Sequence, residues 1–250
     1  MPIAPTIDQR LAAARRPSGR FRVMTQRWEQ LLFMHWALPP DAVQATLPPG
    51  LTVDTHGALA WLGVVPFFMR DVRPRFCPAV PGLSHFLELN LRTYVHDADG
   101  RPGVWFYSLD ANQRLAVAVA RKLFSLPYVR AAMQAERDDD GWIDLRSARP
   151  GDQEQRFRYR AADPLGPAAP GTLDHFLVER YLLFSHRPRD GALFVGQVHH
   201  APYPLATAEV TSASRRLFRL NGFADPERFA DHVVMAGGVS VDIYPLQRIR

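Results

Sequence analysis

The sequence predicts a β-rich α+β fold in which one antiparallel, barrel-like sheet carries a few peripheral helices. Many short apolar or alternating segments are separated by glycine, proline and aspartate turns, as in strand-rich proteins. Asp99-Gly100 lies between two of these segments, which is a strong hairpin signal. Helical patterns are few and do not alternate regularly with the strands. We therefore expect antiparallel pairing rather than repeated β-α-β units.

The elements can be assigned in chain order. Residues 1–20 are predicted as an N-terminal tail with a surface helix over 7–16, opened by Thr6 or Asp8 and ended before Pro17. Residues 21–250 are predicted as a single domain. Asp110 is predicted to cap a helix over 111–124. Other helical turns are expected at 41–47 and 226–232, and residues 173–184 are predicted as a short helix followed by a strand. Further strands are expected at 21–38, 51–53, 58–69, 85–95, 104–109, 142–146, 155–159, 193–199, 208–210 and 238–244, and loops at 70–83 and 163–172.

Composition narrows the class of protein. The chain has 250 residues and a net charge of +5, and all but one of its 30 basic residues are arginines spread among 25 acids. A nucleic-acid-binding protein concentrates its positive charge, so no nucleic-acid partner is predicted. The longest apolar run, residues 58–69, is too short to cross a bilayer, so no membrane partner is predicted either. A lone cysteine, Cys77, and the lack of an apolar leader favour a cytoplasmic location.

No metal and no cofactor is predicted. The nine histidines show no metal-binding spacing, and the neighbours His199 and His200 point opposite ways if they lie on a strand. We expect one of this pair, His200, to line a pocket. The chain also lacks a nucleophile elbow, a phosphate loop and a dinucleotide fingerprint.

The predicted strand over 87–95 carries the clearest chemical pattern. Its odd positions are apolar or β-branched, and its even positions are polar: Glu88, Asn90, Arg92 and Tyr94. The polar face either meets water or lines the interior of a small barrel. The next strand has large aromatic residues on both faces, with Phe106 and Ser108 on one of them, which favours a ligand-holding interior. A slip of one residue would exchange the faces.

Lys122 is the only lysine in the chain. Burial would lower the pKa of its amine, as an imine-forming lysine requires. The alternative is a lysine at a helix edge whose ammonium group reaches solvent.

A series of motifs resembles the YqjF-like family of uncharacterised bacterial proteins. The resemblance covers residues 24–205 and rests on segments that occur in one order: QRWEQLLFMHWALP, LPPGLTVDTHGALAWLGVVPF, FLELNLRTYV, GVWFYSLDA, ARKLFSLPY, FLVERY and VHHAPYPL. It implies the fold of acetoacetate decarboxylase, an antiparallel barrel or cone with a buried cavity and few helices. It also implies a small-molecule ligand and, as in many such proteins, a homo-oligomer.

The resemblance also assigns site residues. The decarboxylase has Gly-Arg-Glu followed by Pro-Lys-Lys, and its first lysine forms the imine. Arg121 is similar in position to that arginine, Lys122 to the glutamate, and Tyr128 to the imine-forming lysine. Glu88 is similar in context to the glutamate of the cavity. A phenol therefore stands where the decarboxylase has its amine, which argues against imine catalysis of that type.

These observations predict acid–base or enolate chemistry on a carbonyl or carboxylate compound, without an imine. Glu88 is the candidate general base, and Tyr128 is the candidate hydrogen-bond donor to a carbonyl or enolate oxygen. Arg92 or Arg121 is expected to hold a carboxylate. Two alternatives are a non-catalytic ligand-binding protein and an imine-forming enzyme that uses Lys122. The remaining residues expected to line the site are Asn90, Trp36, Phe106, Ser108 and His200.

Overall fold

The computed structural model describes residues 4–80, 82–115, 117–118 and 124–249. In these ranges the chain forms fourteen strands in one connected sheet, together with short helices. The strands are β1 (Met24–Leu38), β2 (Thr52–Val53), β3 (Ala60–Pro74), β4 (Phe86–His96), β5 (Pro102–Ala111), β6 (Tyr128–Arg130), β7 (Ala132–Arg137), β8 (Ile143–Ala148), β9 (Gln155–Gly166), β10 (Leu182–Arg187), β11 (Ala192–His199), β12 (Leu205–Ala213), β13 (His232–Ile243) and β14 (Gln247–Arg248). The helices are α1 (Ile7–Ala13), α2 (Pro40–Gln44), α3 (Leu173–Val178) and α4 (Arg216–Leu220).

Seven of the strands close into a ring. The order β11-β10-β5-β4-β3-β1-β13 is joined end to end because β11 also pairs with β13, through Val198 opposite Ile243 and His199 opposite Asp242. Pairing is antiparallel except where β5 runs parallel to β10 and β6. The predicted β-rich, antiparallel, barrel-like architecture with few helices is confirmed.

A second layer covers one side of the ring. The strands β12, β9, β8 and β7 continue the sheet from β13. Side chains of this extension, among them Leu145 and Phe157, pack with Phe218 of α4 against Leu89 and Leu91 of β4. The ring interior has its own apolar cluster. β4 is therefore buried on both faces along its whole length.

The hairpin predicted at Asp99-Gly100 is confirmed. β4 and β5 pair antiparallel down to His96 opposite Pro102, and Gly100 has a φ of 74°. Such a left-handed backbone is the conformation that glycine adopts without strain.

The structure does not begin a helix at residue 111, where the sequence predicted one. Asp110 is not a helix cap, because it belongs to β5, and Arg149 binds its buried carboxylate with two nitrogens. Helical backbone occurs at residues 114–115, 117–118 and 124. Arg121 and Lys122 lie outside the described residues.

Several other assignments differ from the structure. Residues 226–232 do not form a helical turn, because Glu227 has a φ of 51° and its amide donates to the side chain of Asp225. The preceding α4 and the strands β6, β7 and β14 were not predicted. β3 and β9 also run further into the predicted loops, to Pro74 and Gly166.

The N-terminal helix α1 lies against the ring. Thr6 caps it, and Gln9 completes a capping box. None of its own residues is buried, but Arg10 donates two hydrogen bonds to the fully buried Asp54, at 2.6 and 2.7 Å. None of the helices in the described ranges is long and apolar enough to cross a membrane.

Candidate functional site

The polar residues of β4 face the interior of the ring. Glu88, Asn90, Arg92 and Tyr94 are all buried, and we call these four the polar strip. Their apolar neighbours Leu89 and Leu91 instead face the second layer. The interpretation of this face as a water-exposed one is therefore wrong: the ring and its extension bury both sides of β4.

Glu88 and Tyr128 are in direct contact. The Tyr128 hydroxyl donates to Glu88 Oε2 at 2.8 Å, and Asn90 Nδ2 donates to Oε1 at 3.4 Å. β6 carries Tyr128 and pairs in parallel with β5, which brings the phenol beside β4. Burial raises the pKa of Glu88 to about 7, although both hydrogen bonds oppose that rise. Burial and the Glu88 charge also raise the pKa of the Tyr128 phenol well above its usual value, so it remains a donor.

Arg92 is a buried cation without a carboxylate partner among the described residues. Its guanidinium donates to the Leu177 carbonyl at 3.1 Å and to the Tyr94 hydroxyl at 3.4 Å. Its charge also lies 5.3 Å from the centre of the Phe33 ring. Buried guanidinium groups normally pair with an anion, so this arrangement suits an anionic ligand.

A series of aromatic contacts connects two parts of the polar strip, from Phe67 beside Glu88 to Phe33 beside Arg92. Phe67, which pairs with Glu88 across β3 and β4, touches Trp28, and Trp28 touches His200. The His200 ring then meets Tyr203, which meets Phe33 beside Arg92. His200 is thus connected to the polar strip through ring contacts.

Two buried polar atoms in this interior have no partner among the described residues. They are His200 Nε2 and Asn90 Oδ1. Burial lowers the pKa of His200 to about 4, so its imidazole is neutral and Nε2 is available to a ligand. Nδ1 of its neighbour His199 lies 3.1 Å from the Ala14 carbonyl oxygen.

A bulge in β5 separates two residues that were predicted to share a face. Leu91 pairs with Ser108, but Arg92 pairs with Phe106, so Tyr107 is the extra residue. Phe106 packs on the interior cluster. Ser108 faces the second layer, where Arg149 and Asn221 donate to its hydroxyl. The assignment of Ser108 to the site is therefore wrong.

Trp36 is also on the far side of the sheet from the polar strip. It packs against Phe218 in the second layer, and its indole N–H donates to the Arg228 carbonyl. Among the residues of β1 closest to Trp36, those that face the interior are Leu31, Phe33 and His35. Trp36 does not wall the interior, because alternation along β1 turns it outward.

Sequence reasoning missed two histidines. His35 is fully buried and lies 2.7 Å from the Tyr94 hydroxyl, and its other ring nitrogen lies 2.9 Å from His232. A lone polar residue in the apolar run LLFMHW was the available signal for His35. Nothing local marked His232, because only the pairing of β1 with β13 brings it there.

An open cleft of about 750 Å³ adjoins this interior. Tyr181 and His200 line it, and the Tyr181 ring stacks on His200 with ring centres 4.5 Å apart. The cleft also carries four arginines, Arg16, Arg22, Arg27 and Arg73, and we call it the arginine cleft. Within the described ranges, no three histidine, cysteine or acidic side chains meet in a cluster able to hold a metal ion.

Sequence comparison places the chain among uncharacterised proteins. Residues 25–240 match the model of DUF2071, a family of uncharacterised conserved proteins. The uncharacterised protein YqjF of Bacillus subtilis (strain 168) is 38% identical over 208 residues, which cover 82% of this chain and 84% of that protein.

Comparison of structures finds acetoacetate decarboxylase-like folds. The enduracididine biosynthesis enzyme MppR, complexed with pyruvate, superposes with a TM-score of 0.64 at 12% identity, covering 92% of this chain and 91% of that one. Acetoacetate decarboxylase from Legionella pneumophila gives 0.62 at 14% identity, covering 94% and 88%. At these identities the likeness concerns the fold alone. The chain belongs to the DUF2071 family and has an acetoacetate decarboxylase-like fold.

Proposed function

We propose that the interior of the ring binds a small molecule with a carboxylate and a carbonyl group, and that Glu88 moves a proton at the carbon next to that carbonyl. The observation that carries this proposal is the contact between Glu88 and Tyr128. A buried carboxyl with a pKa of about 7 is suited to both take and return a proton near neutral pH.

Each group of the polar strip has a part in this chemistry. Arg92 holds the ligand carboxylate, since it is buried and has no described carboxylate partner. Ionised Glu88 then breaks a C–H bond, and the proton becomes the Glu88 O–H. The electron pair moves into the enolate, whose oxygen accepts the hydrogen bond of Tyr128. Return of the proton from Glu88 completes the cycle.

The arginine cleft supports entry of an anion beside His200. Arg16 and Arg22 share Asp242, and Arg27 pairs with Glu29. The four arginines still outnumber these two acids and Asp71 of the cleft, which leaves an excess of positive charge. Such a field raises the local concentration of small anions. The cytoplasmic location and a homo-oligomeric state remain part of the proposal.

Pyruvate is a suitable probe because it combines the two groups and is bound by MppR, a protein of similar fold. In D2O, wild-type protein should replace the methyl protons of pyruvate by deuterium. Proton NMR measures this exchange as the loss of the methyl signal. Glu88→Gln should slow this exchange about a hundredfold or more, since it removes the base. Glu154→Gln, at an exposed glutamate, is the matched control and should exchange at the wild-type rate.

The same samples separate the alternatives. Saturation-transfer NMR shows whether pyruvate binds to the wild-type protein and to Arg92→Met. If pyruvate binds only to the wild-type protein and its methyl protons never exchange, the result would support a non-catalytic binding protein. A mass adduct on Lys122 after borohydride reduction would instead support imine chemistry. Absence of both binding and exchange would overturn the proposed site for this class of ligand.

A further inference from the structure

A chain of hydrogen bonds leads from the polar strip to the protein surface. The Tyr94 hydroxyl lies 2.7 Å from His35 Nε2, and His35 Nδ1 lies 2.9 Å from His232 Nδ1. His232 Nε2 lies 2.8 Å from Asp174 Oδ1. We call these four side chains the relay. Tyr94 and His35 are fully buried, whereas the Asp174 side chain is 38% exposed.

When both histidines carry one proton each, their partners set the direction of each hydrogen bond. The Asp174 carboxylate accepts from His232 Nε2, and a singly protonated His232 then accepts at Nδ1. His35 must then donate from Nδ1 and accept at Nε2 from the Tyr94 hydroxyl. Arg92 Nε donates to the Tyr94 oxygen at the interior end. With both histidines neutral, every proton of the relay points outward.

The surroundings keep His35 neutral. Burial lowers its pKa well below the usual value, and the neighbouring His232 and Arg92 act in the same direction. Arg180 adds positive charge near the relay, since its guanidinium lies 4.9 Å from the centre of the Tyr94 ring. A second proton on His35 is therefore strongly disfavoured.

The acidic groups near the relay have other partners, apart from its own terminus Asp174. Asp54 binds Arg180 at 2.8 Å and also binds Arg10. Asp231, next to His232, pairs with Arg228 and accepts the Ala37 amide. His175 follows Asp174 in the chain, and its pKa is lowered by burial and by the charge of Arg180.

Gly63 makes room for the central contact. It pairs with His35 across β1 and β3, and a Cβ placed there would lie 2.9 Å from His35 Cδ2 and 3.3 Å from the Tyr94 hydroxyl. The first distance is too short for a methyl group, and the second is tighter than most contacts of this kind. A side chain at this position would therefore displace the His35 ring from its place beside Tyr94.

We propose that the relay conducts a proton between solvent and the interior beside Arg92. When the Tyr94 oxygen takes up a proton, three protons move outward together: the phenolic proton to His35 Nε2, the His35 Nδ1 proton to His232 Nδ1, and the His232 Nε2 proton to Asp174. His35 thus never carries two protons, and Asp174 releases its proton to solvent. One proton enters, one leaves, and the reversed tautomers are ready to carry a proton inward. The use of this path in turnover rests on the proposed function, in which the proton that Glu88 takes from the ligand must exchange with solvent.

The tautomers test the relay without any ligand. In long-range nitrogen–proton NMR of histidine-labelled protein at pH 7.5, His35 should be protonated on Nδ1 alone and His232 on Nε2 alone. Spectra of His35→Gln and His232→Gln assign the signals. A doubly protonated His232 together with His35 protonated on Nε2 would overturn the proposal. His232 would then donate hydrogen bonds to both His35 and Asp174, and could not accept a proton from His35.

Proton transfer is tested by the pyruvate exchange assay. Asp174→Asn, Tyr94→Phe and Gly63→Ala should each slow deuterium uptake about tenfold, and Asp190→Asn, at an exposed ion pair, should not. His232→Ala should also be slow, and imidazole added to the buffer should restore its rate, which a purely structural defect would not allow.

The outcomes separate the relay from the proposed function. If Glu88→Gln abolishes exchange while all relay variants exchange at the wild-type rate, the relay is wrong and the proposed function stands. If wild-type protein exchanges nothing, the proposed chemistry fails on pyruvate, and the tautomers alone confirm or overturn the relay geometry.

Discussion

At the scale of the residue, Glu88 shows how burial changes the chemistry of a carboxyl group. Its hydrogen bonds to Tyr128 and Asn90 favour the ionised form, yet the loss of water outweighs them and raises the pKa to about 7. The nearby charge of Arg92 favours ionisation as well, but it is a smaller effect. A ligand carboxylate bound to Arg92 would neutralise part of this charge, and would therefore raise the pKa of Glu88 further.

This pKa predicts a specific pH dependence of stability. The unfolded chain loses the Glu88 proton near pH 4.5, but the folded protein keeps it until about pH 7. The free energy of unfolding should therefore fall as pH rises through this window, by roughly 3 to 4 kcal/mol at about 1.4 kcal/mol per pKa unit. Glu88→Gln should remove this slope in urea titrations at pH 5 to 8 and be the more stable protein at pH 8. An unchanged slope, equal to that of Glu154→Gln, would contradict the raised pKa.

At the scale of the element, one buried carboxylate fixes both the N-terminal helix and the segment after α3. Asp54 is fully buried and accepts hydrogen bonds from Arg10 of α1 and from Arg180. The Arg180 guanidinium also lies 4.2 Å from the centre of the Phe176 ring, and burial lowers its pKa only to about 10, so it stays charged. Loss of Asp54 would therefore leave a buried cation without a counterion.

We expect Asp54→Ala to lower the free energy of unfolding by about 3 to 5 kcal/mol, because it breaks a buried ion pair on one side only. Arg10→Ala should have a smaller effect, since Arg180 still pairs with Asp54. Asp190→Asn, at an exposed pair with Arg187, should leave stability almost unchanged, because water screens that pair. Urea unfolding of the three variants gives the order, and equal losses for Asp54→Ala and Asp190→Asn would contradict it.

At the scale of the whole molecule, the ring and its extension differ in exposure. β4 pairs on both sides and every one of its side chains is buried. β7 is the last strand of the extension, and its residues are mostly exposed. The closure between β11 and β13 rests on two residue pairs. Local opening is expected to begin at the outer strand rather than in the ring.

Hydrogen exchange followed by mass spectrometry should show this order. Amides of β4 should exchange last, with protection close to that of global unfolding, and amides of β7 should exchange first among the strands of the extension. The paired strands β8 and β9, of the same layer, serve as the internal comparison. Equal protection of β7 and β4 would mean that the two layers open as one unit.

The sequence pattern predicted much of this architecture, and together with the motif resemblance it predicted part of the candidate site. Alternation over 87–95 separated the polar strip from the apolar face, and the motif resemblance assigned Glu88 and Tyr128 to one site, where their side chains are in contact. Ser108 and Trp36 were misplaced for local reasons as well: a bulge at Tyr107 reverses the alternation of β5, and Trp36 has the size of a pocket wall but faces outward. A bulge leaves no clear mark in a single sequence.

The amino-acid sequence by itself determined that this chain forms an antiparallel, strand-rich fold, where its main hairpin turns, and that one strand has a polar and an apolar face. Which face lies inside was decided only by the tertiary structure, because closure of β11 on β13 encloses one side and the extension buries the other. The same closure decided the relay. His35 and His232 are 197 positions apart, and only the register of β1 with β13 places their rings in contact.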